Sequence, residues 1–208
     1  KPGAESHTFE PTPEDIKTIK NSDIFIYVGG DSDEWVDDIL NDIDTDKTKI
    51  IKLIDLVDAK EEVTTEGMES DEKEESELDE HVWTSPKNAI EIINKLKKEI
   101  INIDNDEKSN LESNANHYVN ELNDLDTEFK SIVKTAKRKE IIVGDRFPLR
   151  YFADEYGLSY YAAFSGCSEQ TEASAKTISF LANKVKEDKI PVVLKIELSS
   201  GNIANTIA

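Results

Sequence analysis

The run Ile24-Phe25-Ile26-Tyr27-Val28-Gly29-Gly30 decides the fold. Five consecutive apolar residues stopped by two glycines form the pattern of a strand buried on both faces, and such strands belong to parallel sheets covered by helices. Upstream, Thr12-Pro13-Glu14-Asp15 supplies a hydroxyl cap, a first-turn proline and two early acids, which together open a helix. Downstream, residues 31–40 read as a short helix with Trp35, Ile39 and Leu40 inward, and residues 49–53 as a second strand. Helix, strand, helix, strand is the order of an α/β lobe.

The pattern breaks at residues 61–80, where eleven Asp or Glu face a single Lys, Lys73. That stretch carries half of the net charge of -20 that 45 acidic and 25 basic residues give the chain of 208. With so little apolar material it cannot offset its own ordering entropy, and a mobile loop is expected over 58–80. Such a loop is either a solvated spacer or a weak, nonselective collector of cations. Regular structure resumes at His81-Val82-Trp83-Thr84-Ser85-Pro86, with Ser85 and Pro86 as cap and first turn of a helix bearing Ile90, Ile93, Leu96 and Ile100. Residues 106–137 hold Leu111, Tyr118, Leu122, Leu125, Phe129, Ile132 and Val133 at helical spacing, without a proline or glycine. A single helix of roughly 45 Å follows, long enough to be a spine between two lobes. Beyond it the alternation restarts: strand 140–143, helix 148–156, strand 158–164, helix 171–186, strand 191–197, and a last helix from Gly201. The fold expected is α/β, two lobes with parallel-sheet cores joined by the spine helix: residues 1–105 the N-terminal lobe with the acidic loop, 106–138 the linking helix, 139–208 the C-terminal lobe.

Charge and composition exclude several functions. A strongly acidic chain opposes the phosphate contacts that supply nucleic-acid affinity and opposes adsorption to anionic lipid. No stretch approaches the roughly 20 apolar residues that span a bilayer. Gly29-Gly30 lacks the spaced third glycine of a dinucleotide loop, and there is no phosphate-loop lysine. Cys167, the one cysteine, has no histidine placed by sequence to activate it and reads as a small, partly buried loop residue. Of the three histidines, His7 and His81 lie in loops that meet the ends of strands, where α/β sheets place ligands, whereas His117 falls inside the long helix. A lone loop histidine is more often structural than ligating, so the pair by itself is a weak metal signal. Glu197, ending the run Val192 to Ile196, points to the same crevice or serves as a cap or packing acid.

The stretches Gly3-Ala4-Glu5-Ser6-His7-Thr8-Phe9-Glu10-Pro11-Thr12-Pro13-Glu14-Asp15, Asp23 to Gly30 and Asp79-Glu80-His81-Val82-Trp83-Thr84-Ser85-Pro86 resemble the metal-binding lipoproteins of ABC importers. These are the cluster A-I, or cluster 9, solute-binding proteins for zinc and manganese. Motif order, the charged loop before the second histidine and the long helix match across nearly the whole chain. The resemblance implies a metal clamped in a cleft between two α/β lobes by four side chains. His7 falls on the first family ligand and His81 on the second. The third position, in Ile142-Val143-Gly144-Asp145-Arg146-Phe147-Pro148, offers Asp145 in place of the usual histidine or glutamate, although the following stretch is one residue longer than usual. The fourth ligand would follow Ala208, and the family's first strand, helix and second strand would precede Lys1, so the chain is expected to be truncated at both ends.

Two imidazoles with one or two carboxylates make an N/O donor set suited to Zn²⁺ or Mn²⁺, with no thiolate to favour Cu(I). Four protein ligands leave no open position for an activated water, which argues against a hydrolase using Asp145 or Glu197 as base. The expectation is an extracytoplasmic protein, a membrane-anchored lipoprotein or periplasmic, monomeric and not an enzyme. It would deliver zinc to the membrane permease of an ABC importer. Manganese is the alternative cargo, and a metal-stabilised surface adhesin on the same scaffold the alternative role.

Overall fold

The computed structural model describes residues 9–68, 77–168, 170, 172–197 and 199–208. Its elements run α1 (Pro13–Lys20), β1 (Ile24–Tyr27), α2 (Glu34–Leu40), β2 (Lys49–Lys52), α3 (Pro86–Ile103), α4 (Lys108–Thr135), β3 (Glu140–Arg146), α5 (Arg150–Tyr156), β4 (Ser159–Phe164), α6 (Ala175–Glu187) and α7 (Asn202–Ile207). Short 3-10 turns occupy Asp31–Asp33, Leu53–Leu56 and Val82–Thr84. The starts of α1 and α3 fall where the sequence puts them. Thr12 caps α1 by accepting from Asp15 N, while the Asp15 carboxylate accepts from Thr12 N at 2.8 Å. Ser85 caps α3 by accepting from Asn88 N at 3.3 Å.

Each half is built on one parallel strand pair, and parallel neighbours require a crossover. β1 pairs with β2, from Ile24 opposite Lys49 to Tyr27 opposite Lys52, with α2 between them in sequence. β3 pairs with β4 from Glu140 opposite Ser159 to Val143 opposite Ala162, and again at Arg146 opposite Phe164. Between those points Gly144 and Asp145 face one residue of β4, a bulge that re-aims side chains at the C-terminal end of the strand. Gly144 is required there because a Cβ would lie 2.4 Å from the Cα of Ala204 in α7.

Packing joins the halves. Ile142, Ala163, Phe164, Leu181, Ile190 and Ile207 form one buried cluster, and Val143, Phe147, Ala153 and Ala162 another, both around β3 and β4. The third contains Ile54, Val82 and Ile92 together with Tyr151 of α5, so it belongs to both halves. The long helix expected over 106–137 is α4, 28 residues or about 42 Å. It runs back along α3 as a hairpin, with Lys97 Nζ reaching Asn116 Oδ1 at 3.1 Å.

Three expectations change. β1 is not buried on both faces: Ile26 is exposed and the rest only half-buried, because among the described residues β1 pairs with β2 alone and is an edge of its sheet. The strand expected over 191–197 contracts to one bridge, where Leu194 N donates to Ile142 O at 2.8 Å and Leu194 O accepts from Gly144 N at 2.9 Å. Pro191 has no N–H to extend it, and Val192 and Leu194 leave their side chains exposed. The acidic run is not loop throughout. Residues 69–76 of it lie outside the described residues, but its arms pair antiparallel at Glu61 and Leu78, with Glu62 N donating to Glu77 O at 2.7 Å. Glu62 Oε1 then accepts from Cys167 N at 2.7 Å, Met68 packs on the cluster around Phe147, and Gly67 lies against the Phe180 ring of α6. These specific contacts offset the ordering cost that composition alone assigns to the two arms.

Candidate metal centre

Val82, fully buried beside Ile54, Ile92 and Tyr151, draws the start of the Val82–Thr84 turn inward, and His81 goes with it to 4 % exposure. Asp79, 2 % exposed, holds the histidine twice through one oxygen: Oδ1 accepts from His81 N at 2.8 Å and lies 3.0 Å from His81 Nδ1. Asp79 is itself held. Its N–H donates to Lys60 O at 2.8 Å, and its carbonyl accepts from the Tyr151 hydroxyl at 2.7 Å. Burial lifts the Tyr151 pKa above its ordinary value, which keeps the phenol a donor. Glu80 points the other way, its carboxylate accepting from the hydroxyl of Ser32 and from Ser32 N, so the loop after β1 is tied to the same segment.

The second half contributes from the ends of β3 and β4. Gly166, in the turn after β4, backs onto the imidazole: a Cβ there would lie 3.2 Å from both Cε1 and Nδ1 of His81 and 3.0 Å from Phe147 O. One turn therefore touches His81 and the residue two places beyond Asp145. Asp145 sits in the β3 bulge at 8 % exposure. Its Oδ1 accepts from Arg146 N at 3.0 Å, whereas Oδ2 is buried and has no hydrogen-bond partner among the described residues. Native structures rarely leave a buried carboxylate oxygen unsatisfied, since the penalty is about 1–3 kcal/mol or more. A bound cation removes that penalty, and an imidazole nitrogen with a carboxylate oxygen suits zinc.

The other candidates separate. His7 lies outside the described residues. Glu197 is exposed in the turn that follows the Leu194 bridge. His117 stands out from α4, with Nε2 3.6 Å from Glu121 Oε1. Among the described residues no three His, Cys, Asp or Glu side chains gather around one point. Burial, reinforced by Glu62, pushes the Cys167 thiol far above its usual range, so it stays protonated and is no nucleophile at neutral pH. Sequence reasoning missed Asp79, Tyr151 and Gly166. The signal for Asp79 was present as an acid two residues before His81, but it was counted with the acidic run.

Two α/β halves, each on a parallel strand pair, bury His81 against the turn after β4 and Asp145 in the β3 bulge, an imidazole and a carboxylate of the kinds that N/O cation sites use. Residues 1–208 match the family described as ZnuA, zinc-uptake complex component A periplasmic, and the chain belongs to that family. It is 31% identical over 209 residues to the zinc-binding lipoprotein AdcA of Streptococcus pneumoniae (strain ATCC BAA-255 / R6), covering 99% of this chain and 41% of that protein. It is also 31% identical over 207 residues to the high-affinity zinc uptake system protein ZnuA of Bacillus subtilis (strain 168), covering 98% of this chain and 64% of that protein. The chain thus spans between about two fifths and just under two thirds of these curated relatives, at 41% and 64%. The crystal structure of the Zn(II)-bound ZnuA-like domain of Streptococcus pneumoniae AdcA superposes with a TM-score of 0.74 at 30% identity, over 99% of this chain and 71% of that one.

Proposed function

We propose that this chain is the metal-capturing part of an extracytoplasmic zinc-binding protein, a lipoprotein or periplasmic component that passes Zn²⁺ to the permease of an ABC importer. It acts as a monomer and catalyses no reaction. His81 and Asp145 are its ligands from the described residues, and His7 is a third. Glu197, exposed beyond the Leu194 bridge, is at most a weak cleft contact. The observation that carries the reading is Asp145 Oδ2, a buried carboxylate oxygen with no donor among the described residues, two residues before Phe147, whose carbonyl lies against the turn that also touches the His81 ring. Family membership and the names of the two zinc-binding relatives support the choice of cargo.

Calorimetric titration of the metal-stripped chain with Zn²⁺ and Mn²⁺ in parallel, repeated on His81→Ala, tests it. One tight zinc site that disappears in the variant is the expected result. Tighter manganese than zinc would reassign the cargo, and equal affinities in wild type and variant would overturn the site.

A further inference from the structure

We propose that Asp79 is the positioning residue of His81, fixing its imidazole proton on Nδ1 so that Nε2 is the nitrogen that meets the metal; this rests on reading His81 as a zinc ligand. Asp79 Oδ1 takes the backbone N–H of His81 at 2.8 Å, so that oxygen is an acceptor. A ring nitrogen 3.0 Å from the same oxygen pairs with it only by donating. A neutral imidazole with its proton on Nδ1 keeps its lone pair on Nε2. The opposite tautomer, favoured by free histidine, would set two acceptors against each other in a site where Asp79 and His81 are both almost fully buried.

Asp79 has little room to move away. Its N–H is bonded to Lys60 O, its carbonyl to the Tyr151 hydroxyl, and that hydroxyl also accepts from Lys60 N at 3.0 Å. The orientation of one metal ligand is thereby set jointly by an arm of the acidic run and by α5 of the other half. Losing a carboxylate that orients a ligating histidine typically costs about 10–100-fold in metal affinity.

The test uses the metal-free full chain labelled with ¹⁵N-histidine, with the three imidazoles assigned by His81→Gln and His117→Gln. Long-range ¹H–¹⁵N correlations should find His81 protonated on Nδ1, and zinc should then perturb Nε2. Asp79→Asn retains the accepting oxygen, so the tautomer should survive with a smaller loss of zinc affinity. Asp79→Ala should populate the Nε2–H form and weaken zinc by about 10–100-fold. A wild-type His81 protonated on Nε2, or an Asp79→Ala variant with unchanged tautomer, would overturn the proposal. Unchanged zinc affinity in His81→Gln would sink the zinc-ligand reading instead, and the two failures stay distinct because the tautomer is read without metal.

Discussion

The phenol of Tyr151 in α5 donates to the main-chain carbonyl of Asp79 at 2.7 Å, joining residues 72 apart in sequence. Its ring packs with Ile54, Val82 and Ile92, so one side chain supplies apolar packing and a polar tie at the junction of the halves. Tyr151→Phe keeps the packing and leaves Asp79 O and Lys60 N without this partner. Equilibrium denaturation should show a loss of about 1–3 kcal/mol, the cost of buried unsatisfied groups. Zinc affinity should fall as well. Unchanged stability and affinity would mean that the tie contributes nothing to either.

Asp145 predicts an asymmetry between the metal-free and zinc-loaded protein. Asp145→Asn keeps an oxygen for Arg146 N and removes the charge from the buried position that lacks a partner among the described residues. The metal-free variant should therefore melt at the same temperature as wild type or higher. The rise in melting temperature on adding zinc should shrink, because ligand stabilisation follows affinity for the folded state. Thermal melts with and without zinc read both, and an undiminished zinc shift would remove Asp145 from the site.

How far the sequence could be read depended on how local each signal was. The caps at Thr12 and Ser85 were legible because a cap is written within four residues. The strands at 24 and 140 were legible because each contains a continuous apolar run. The run Pro191 to Glu197 carried the same signal but forms only a bridge, since pairing depends on partners that a run of side chains does not reveal. The arms of the acidic stretch differ from that reading for a related reason: composition weighs all its acids alike, whereas Glu62 and Glu80 accept through their carboxylates, and Asp79 through its carbonyl, from donors in distant segments. His81 and Asp145 were placed through family motifs, and the bulge that sets Asp145 apart lies in strand register, which the sequence does not spell out.

Asp126 gives the fold a dependence on acid. It is buried in α4, and burial alone would raise its pKa. Hydrogen bonds from Lys130 Nζ at 2.5 Å and the Tyr156 hydroxyl at 3.1 Å outweigh that and hold it below the usual carboxylate value. A depressed folded pKa contributes stability that is present above the unfolded value, about 3.9, and is lost as pH falls through the lower folded one. Asp126→Asn should thus be less stable than wild type at pH 7 by about 1–3 kcal/mol. The gap should narrow as the pH drops below about 4. Parallel denaturation curves across that range check the sign; a gap that widens in acid would contradict it.

Gly166 makes the most local prediction. Its backbone is not in the left-handed region, so alanine is conformationally acceptable there and any effect comes from the added methyl alone. That methyl would press on Cε1 and Nδ1 of His81 at 3.2 Å and on the carbonyl of Phe147 at 3.0 Å, both tighter than ordinary contact. The ring cannot yield toward Asp79 without compressing a hydrogen bond already at 3.0 Å, and Phe147 is fixed by burial and by stacking on Tyr160. The turn after β4 must therefore shift, or the imidazole must rotate. Gly166→Ala should cost about 1–3 kcal/mol of stability, as overpacking usually does. Zinc affinity should fall with it although no ligand has been changed. Wild-type affinity by calorimetry, in a variant that folds, would show that the turn touches the ring without setting its position.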